Sequence, residues 1–464
     1  MPASIALRDV SNIMKVTYSF NIFIIKQALL VALTIVGFIT NSWGQPPVSE
    51  ITKLQEYYQQ RANRFLVKDA IIHEYYKIHE KGISMYASPE DKKADKPEFH
   101  LAWDELERFK DLIEYTDRNL QFALYQRKGT RPFNIQENTT IEILKRNHYL
   151  EKAAEGKKKL PLSGIRIAID PGHIAGDMDL AKAEGRFIEM NYKGNTYKLK
   201  EGDLTLSTAM VLKDSLEKQG AKVFISRDQP NQGANGKPYE VWKKTDLTEK
   251  LKDMGLSSHK IQQTLLKSPE YRIYREYFLQ DDLELRAAEI NYFKPHLTIV
   301  IHYNADDKNF GWKQPSKRNF GMVFVPGAFL KYEMRTPRDR YDFIRVLVSE
   351  QVKESSKLSA HVMQAFENKL QVPAVSKQEE PAYLQKLAIR LDKGVYARNL
   401  RLCRLLNTPI CYGEPLFQDN ELELKALNGN NLKEGKISSR VVQVANAYYE
   451  GIMKYLSDSK ILTE

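Results

Sequence analysis

From residue 51 to residue 144 the apolar positions return at three- and four-residue steps: Leu54, Tyr57, Tyr58 and Ala62, then Phe65, Ala70, Ile71 and Tyr75, and later Leu101, Leu106, Phe109, Leu112 and Ile113. That period belongs to helices with one buried face. The region 45–150 therefore reads as a helical hairpin or small bundle with a charged break at 88–97. His73 and His79 lie six apart, so they do not meet across one helical turn as an i, i+4 pair does. They read as surface or core residues. The lysine-rich stretch 151–163 reads as a basic linker.

At Gly164 the pattern changes. The runs Ile165 to Ile169, Lys222 to Ser226, His296 to Ile301, Gly321 to Val325 and Pro409 to Tyr412 are short and apolar, as buried strands are. Helical periodicity fills 204–219, 283–293, 342–369, 383–406 and 438–456 between and after them. Strands alternating with helices predict an α/β domain over 164–458, a mixed, mostly parallel sheet flanked by helices. The polar, helical stretch 229–281 reads as an insertion that could form a lid or a partner surface.

In such sheets functional groups gather where strands end and backbones diverge. The first strand ends in Asp170, Pro171, Gly172 and His173; the third ends in His302, followed by Tyr303, Asn304 and Ala305. The last strand delivers Glu414, and Glu201 stands just before the helix that begins at Leu204. Two imidazoles and a carboxylate are the usual ligands of a catalytic zinc with one open position. A second carboxylate is then needed to move the proton of the attacking water. Any one of these residues alone would be a structural histidine or glutamate; their joint placement at strand ends points to a metal hydrolase.

Composition adds location. Residues 28–39 form an uncharged apolar run preceded by Lys15 and Lys26 and followed by small and polar residues up to Gln45. This is the build of a secretory signal peptide over 1–44; an uncleaved anchor over 20–39, interrupted by Lys26, is the rival. Either puts the remainder outside the cytosol, periplasmic or secreted. The two cysteines, Cys403 and Cys411, form no CxxC pair and exclude a thiolate zinc site or a disulfide framework. They leave one bridge or two buried thiols. The net charge of +11 fits an anionic polymer, and without a nucleic-acid-binding motif the cell wall is the better partner than nucleic acid.

The span 164–456 resembles the zinc-dependent N-acetylmuramoyl-L-alanine amidases (amidase type 3). Four ordered blocks carry the resemblance: IAIDPGH ending at His173; EGDLTL from Glu201 with VFISR ending at Arg227; Arg286, Asn291 and IHYNA from Ile301; and TPICYGEPLF from Thr408, with Asn420. It implies one zinc ion per chain on His173, Glu201 and His302, with Glu414 as general base and acid. Arg286 and Asn304 would support the site or bind substrate. The implied reaction cuts the amide between N-acetylmuramic acid and L-alanine in peptidoglycan. Ile174 and Ala175 stand where the family has a glycine pair, Gly413 precedes Glu414 where it has an apolar residue, and 181–200 is extra. The extra segment leaves Glu184 and Glu189 as competitors of Glu201. The alternatives are a non-catalytic wall-binding or scaffold protein on the same fold, or a zinc peptidase acting on wall peptides. An activator protein could act on 229–281 or 326–391, and the membrane is a partner only if the N-terminal segment is uncleaved.

Overall fold

The computed structural model describes residues 48–153, 160–309 and 311–459. The segment 1–44, expected to be a signal peptide, lies outside the described residues, as do residues 154–159 of the expected linker. Among the described residues no helix is long and apolar enough to cross a membrane.

The main sheet has seven strands in the order β10-β11-β9-β12-β8-β4-β7. They are β4 (Arg166–Pro171), β7 (Lys222–Ile225), β8 (Leu297–Ile301), β9 (Met322–Val325), β10 (Ala388–Asp392), β11 (Val395–Arg398) and β12 (Ile410–Glu414). Pairings β4–β7, β4–β8, β8–β12 and β9–β11 are parallel, and β9–β12 and β10–β11 antiparallel, so the mixed, mostly parallel sheet stands as expected. Helices Glu201–Lys218, Gln351–Ala365 and Ser439–Asp458 pack on one face. Leu279–Phe293 and Arg401–Leu405 pack on the other. The central strands are buried on both faces, which is why they read as unbroken apolar runs.

The register brings the site together. Pro171 pairs with Ile301, and Ile301 with Gly413. The ends of β4, β8 and β12 are thus level and adjacent, and the residues that follow them open into one crevice.

Three readings of the periodicity need correction. The N-terminal region is helical, but β1 (Tyr76–His79), β2 (Gly82–Met85) and β3 (Phe99–Ala102) also form a small antiparallel sheet within it. Each strand has four residues, too short to outweigh the helical spacing around it. This region also shares one apolar core with Phe329, Met334 and the helix Pro337–Val348 of the following domain. The expected helix 383–406 is instead a short helix Ala382–Leu387, the hairpin β10–β11 and a short helix Arg401–Leu405; Gly394, at φ +70°, makes the turn that a helix could not contain. The expected helix 342–369 starts earlier, at Pro337 behind the cap of Thr336, and breaks at Ser349, whose backbone is extended.

The extra segment 181–200 forms most of a helix Met178–Glu184 and a hairpin of β5 (Phe187–Tyr192) and β6 (Asn195–Lys200). The insertion 229–281 is helical as read. Its Tyr239, Trp242, Tyr274 and Phe278 pack with Ile174 and Ala175, directly behind His173.

Candidate metal and active site

His173 leaves β4 with a left-handed backbone, φ +57°, a conformation that a residue with a side chain adopts only when its surroundings insist. Two buried arginines hold the turn. Arg227, just after β7, donates to the carbonyls of Pro171 (3.1 Å), Gly172 (3.1 Å) and Gly202 (2.7 Å). Arg286 donates to the Pro171 carbonyl (2.8 Å), Asp170 (3.2 Å) and Asp282 (2.7 Å). Burial pulls Arg227 down to about 10, and the charge of Arg286 adds to the effect. Arg286 is equally buried, but Asp282 and Asp170 outweigh that and raise its pKa.

Glu201 opens the helix Glu201–Lys218, where a negative charge meets the positive end of the helix dipole. The next residue has no side chain because none fits: a Cβ on Gly202 would stand 2.6 Å from the Ala175 nitrogen. The helix start is thereby seated against the loop after His173. Glu201 Oε1 lies 3.4 Å from His173 Nε2 and 3.0 Å from His302 Nδ1, and it accepts the backbone N–H of Tyr303 at 3.1 Å. His302 follows β8 and stacks on Tyr412 of β12, with centroids 4.4 Å apart and planes within 8°.

One group among the described residues could hold a metal: His173, Glu201 and His302, whose ligand atoms all lie within 4.8 Å of one another. Tetrahedral zinc with bonds near 2 Å has donor atoms roughly 3.3 Å apart, so the two measured distances to Glu201 fit the group. The electrostatics fit as well. Burial alone would raise Glu201, but His173 and His302 outweigh it and hold the carboxyl well below its usual range, ionised. Burial lowers His302 to about 4, with Glu201 opposing, so its ring is neutral with a lone pair to give.

Of the competing carboxylates, Glu184 is buried and accepts the N–H groups of Ile174 (2.9 Å) and Ala175 (3.3 Å) and the hydroxyl of Tyr274. It braces the loop behind His173 and is not among the three. Glu189 pairs with Lys182 and Lys198 on the exposed side of the hairpin.

Glu414 stands at the end of β12, opposite Met322 of β9. Its Oε2 is buried and has no hydrogen-bond partner among the described residues. Burial, then the nearby charge of Glu201, raise its pKa well above the usual carboxylate range, with Arg186 and Arg398 opposing. Asn304 reaches that same Met322, its amide nitrogen 3.9 Å from the sulfur. Arg286, by contrast, is spent on the turn beneath His173 and supports the site from below. The sequence reading missed Arg186, Arg398 and Tyr383. Tyr383 and Arg398 belong to the stretch read as one long helix, and Arg186 lies in the segment outside the family blocks. Arg227 was visible within the VFISR block, though its role was not.

The sequence profile described as N-acetylmuramoyl-L-alanine amidase matches residues 167–454, spanning all four of these groups. The chain belongs to that family. Family members are peptidoglycan amidases, hydrolases that cut the amide between N-acetylmuramic acid and the L-alanine of the stem peptide. No curated protein matches the chain. Similar solved structures include the CwlD amidase of Clostridioides difficile in complex with the GerS lipoprotein, at 17% identity over 63% of this chain and 99% of that one, with a TM-score of 0.34. The Ami1 amidase of Mycobacterium smegmatis matches at 16% identity over 64% and 98%, TM-score 0.33. The AmiC2 amidase of Nostoc punctiforme matches at 13% over 63% and 97%, TM-score 0.32.

Proposed function

We propose that this amidase works on zinc held by His173, Glu201 and His302, with Glu414 as its general base and acid. The observation that carries the reading is the pairing of a compact His-Glu-His ligand set with an unbonded carboxylate of raised pKa. Zinc, when bound, supplies a Lewis acid that polarises the scissile carbonyl and acidifies water at the site. Glu414 takes the proton of the water that adds to the carbonyl carbon, then returns it to the departing amine of L-alanine. A carboxyl whose pKa burial raises holds a proton more firmly than an ordinary one, which suits taking it from water and carrying it to the amine. Glu201 Oε1 and His302 Nδ1 stand side by side at 3.0 Å as neighbouring ligands would, and Tyr412 keeps the ring flat against β12.

The chain would act outside the cytoplasm, led there by the segment 1–44, because its polymer substrate is there. An activator protein would act on 229–281, whose helices back the loop after His173, or on 326–391, which carries Tyr383, a tyrosine whose pKa burial and then the charge of Glu414 raise to about 12.

The test is zinc content together with stem-peptide release from purified peptidoglycan, for the wild type, H302A and E414Q. About one zinc per chain in wild type and E414Q, with activity only in wild type, is expected. Zinc bound by H302A as by wild type, or E414Q as active as wild type, overturns the assignment. Release of free L-alanine-terminated peptides distinguishes the amidase from a peptidase cutting within the stem.

A further inference from the structure

Arg186 lies in the segment 181–200, outside the blocks that mark the family, yet its backbone is fastened to the site. Gly185 ends the helix Met178–Glu184 in the left-handed conformation, φ +69°. The Arg186 carbonyl then accepts the backbone N–H of Glu201 at 3.2 Å. From this anchor the side chain runs back over the ligand carboxylate, and Nε stands 3.8 Å from Glu201 Oε2, beyond hydrogen-bond reach. The guanidinium makes one hydrogen bond among the described residues, from Nη1 to the Gly185 carbonyl at 3.2 Å. About half of the side chain, 53%, is open to solvent.

The other two arginines of the site behave differently. Arg227 and Arg286 are 3% and 2% exposed and hold the turn before His173 from beneath. Arg186 is instead half exposed, with a single guanidinium hydrogen bond among the described residues, and Glu201, Tyr412, Glu414 and Glu184 all act on its charge. Standing 3.8 Å from Glu201 Oε2 with half its side chain in solvent, it borders the open side of the ligand set, where a substrate amide would arrive. Arg398, the other cation that acts on Glu414, has its guanidinium 5.2 Å from the Phe324 ring and 5.0 Å from the Tyr383 ring.

We propose that Arg186 donates an N–H to the carbonyl oxygen of the scissile amide and stabilises it as it becomes an oxyanion. The proposal rests on the amidase reading above. As the water oxygen bonds to the carbonyl carbon, its proton passes to Glu414 and the carbonyl π pair moves onto the oxygen that Arg186 meets. When that pair returns, the C–N bond breaks and the amine takes the proton from Glu414. Charge appears on that oxygen beside the Glu201 carboxylate while Glu414 holds the proton, so a cation there is worth more in the transition state than in the bound substrate. An arginine stays charged throughout.

The experiment uses the full-length, zinc-loaded protein as wild type, R186Q and R186K, with a defined muramoyl-peptide as substrate. Zinc content and thermal midpoint are read beside kcat and KM. R186Q should lose about 10²–10³-fold in kcat, the usual loss of one oxyanion donor, with KM, zinc content and thermal midpoint close to wild type. R186K should fall between, and added methylguanidinium should restore part of the R186Q rate. A kcat in R186Q within about threefold of wild type, well short of that loss, overturns the proposal. Loss of zinc in R186Q overturns it in favour of ligand positioning, and a rise in KM alone overturns it in favour of a remote carboxylate contact. A zinc-loaded wild type that releases no stem peptide removes the amidase reading and this proposal together; an active wild type beside an equally active R186Q removes only the role of Arg186.

Discussion

Gly172 gives the sharpest test of how the ligand set is built. Its backbone is outside the left-handed region, so alanine can adopt it without conformational penalty, and any effect is steric. A Cβ there would fall on the imidazole of His302, nearest to Nε2 and Cε1 and only 2.7 Å from Cδ2. That is 0.7 Å inside the 3.4 Å at which ordinary contact begins. The ring has little room to yield, because Tyr412 lies flat on it at 4.4 Å and Nδ1 stands 3.0 Å from Glu201. Forcing a methyl into such a place costs about 1–3 kcal/mol. Metal–ligand distances tolerate only about 0.2 Å, so much of that cost should appear in binding. G172A should bind zinc about 10–100-fold more weakly, the range seen when the support of a ligand is disturbed. Even saturated with zinc it should lose about 10²-fold in kcat/KM, since a displacement approaching 1 Å in a reacting centre costs that much. Chelator competition gives the zinc affinity, and denaturant unfolding of the metal-free protein gives the stability. A G172A protein with wild-type zinc affinity and wild-type turnover would refute the packing argument.

Two further outcomes follow from the same geometry. Removing the Glu184 carboxylate strands the N–H groups of Ile174 and Ala175 in a buried place, so E184A should lose about 2–4 kcal/mol of stability and bind zinc more weakly, whereas E189A should do neither; equal behaviour of the two in chemical denaturation would sink the assignment of Glu184 as the brace of the His173 loop. The acid limb of kcat/KM requires ionised Glu414, whose pKa burial and Glu201 raise while Arg186 and Arg398 lower it. Taking away one of those cations raises it further, so R398Q should move the acid limb to higher pH; a limb that stays or moves down contradicts the electrostatic reading.

Much of the site was legible in the chain because its chemistry follows strands. Ile167 to Ile169, Leu297 to Ile301 and Ile410 to Cys411 are apolar because both faces of the sheet are covered. Side chains that must meet substrate gather where such strands emerge, so His173, His302 and Glu414 mark strand ends and share a crevice once the strands are level. Local spacing failed where two structures satisfy the same pattern. The stretch 388–398 is apolar often enough for a helix, and the turn at Gly394 decides for a hairpin.

The identity of the carboxylate ligand was beyond the sequence. Glu184, Glu189 and Glu201 are the same side chain in one short stretch, and nothing local separates them. Glu201 is chosen by a contact with His302, 101 residues away, and Glu184 is claimed by Tyr274, 90 residues away. The roles of Arg186, Arg227 and Arg286 are decided in the same manner, by which carbonyls and carboxylates the fold brings to a guanidinium and by how much water remains around it. The sequence by itself determined the strands, the class of residue at their ends and so the family of the enzyme, because burial and periodicity are local properties of a chain. Only the tertiary structure decided which like residue binds, braces or stays free, because charge and hydrogen bonding act through space.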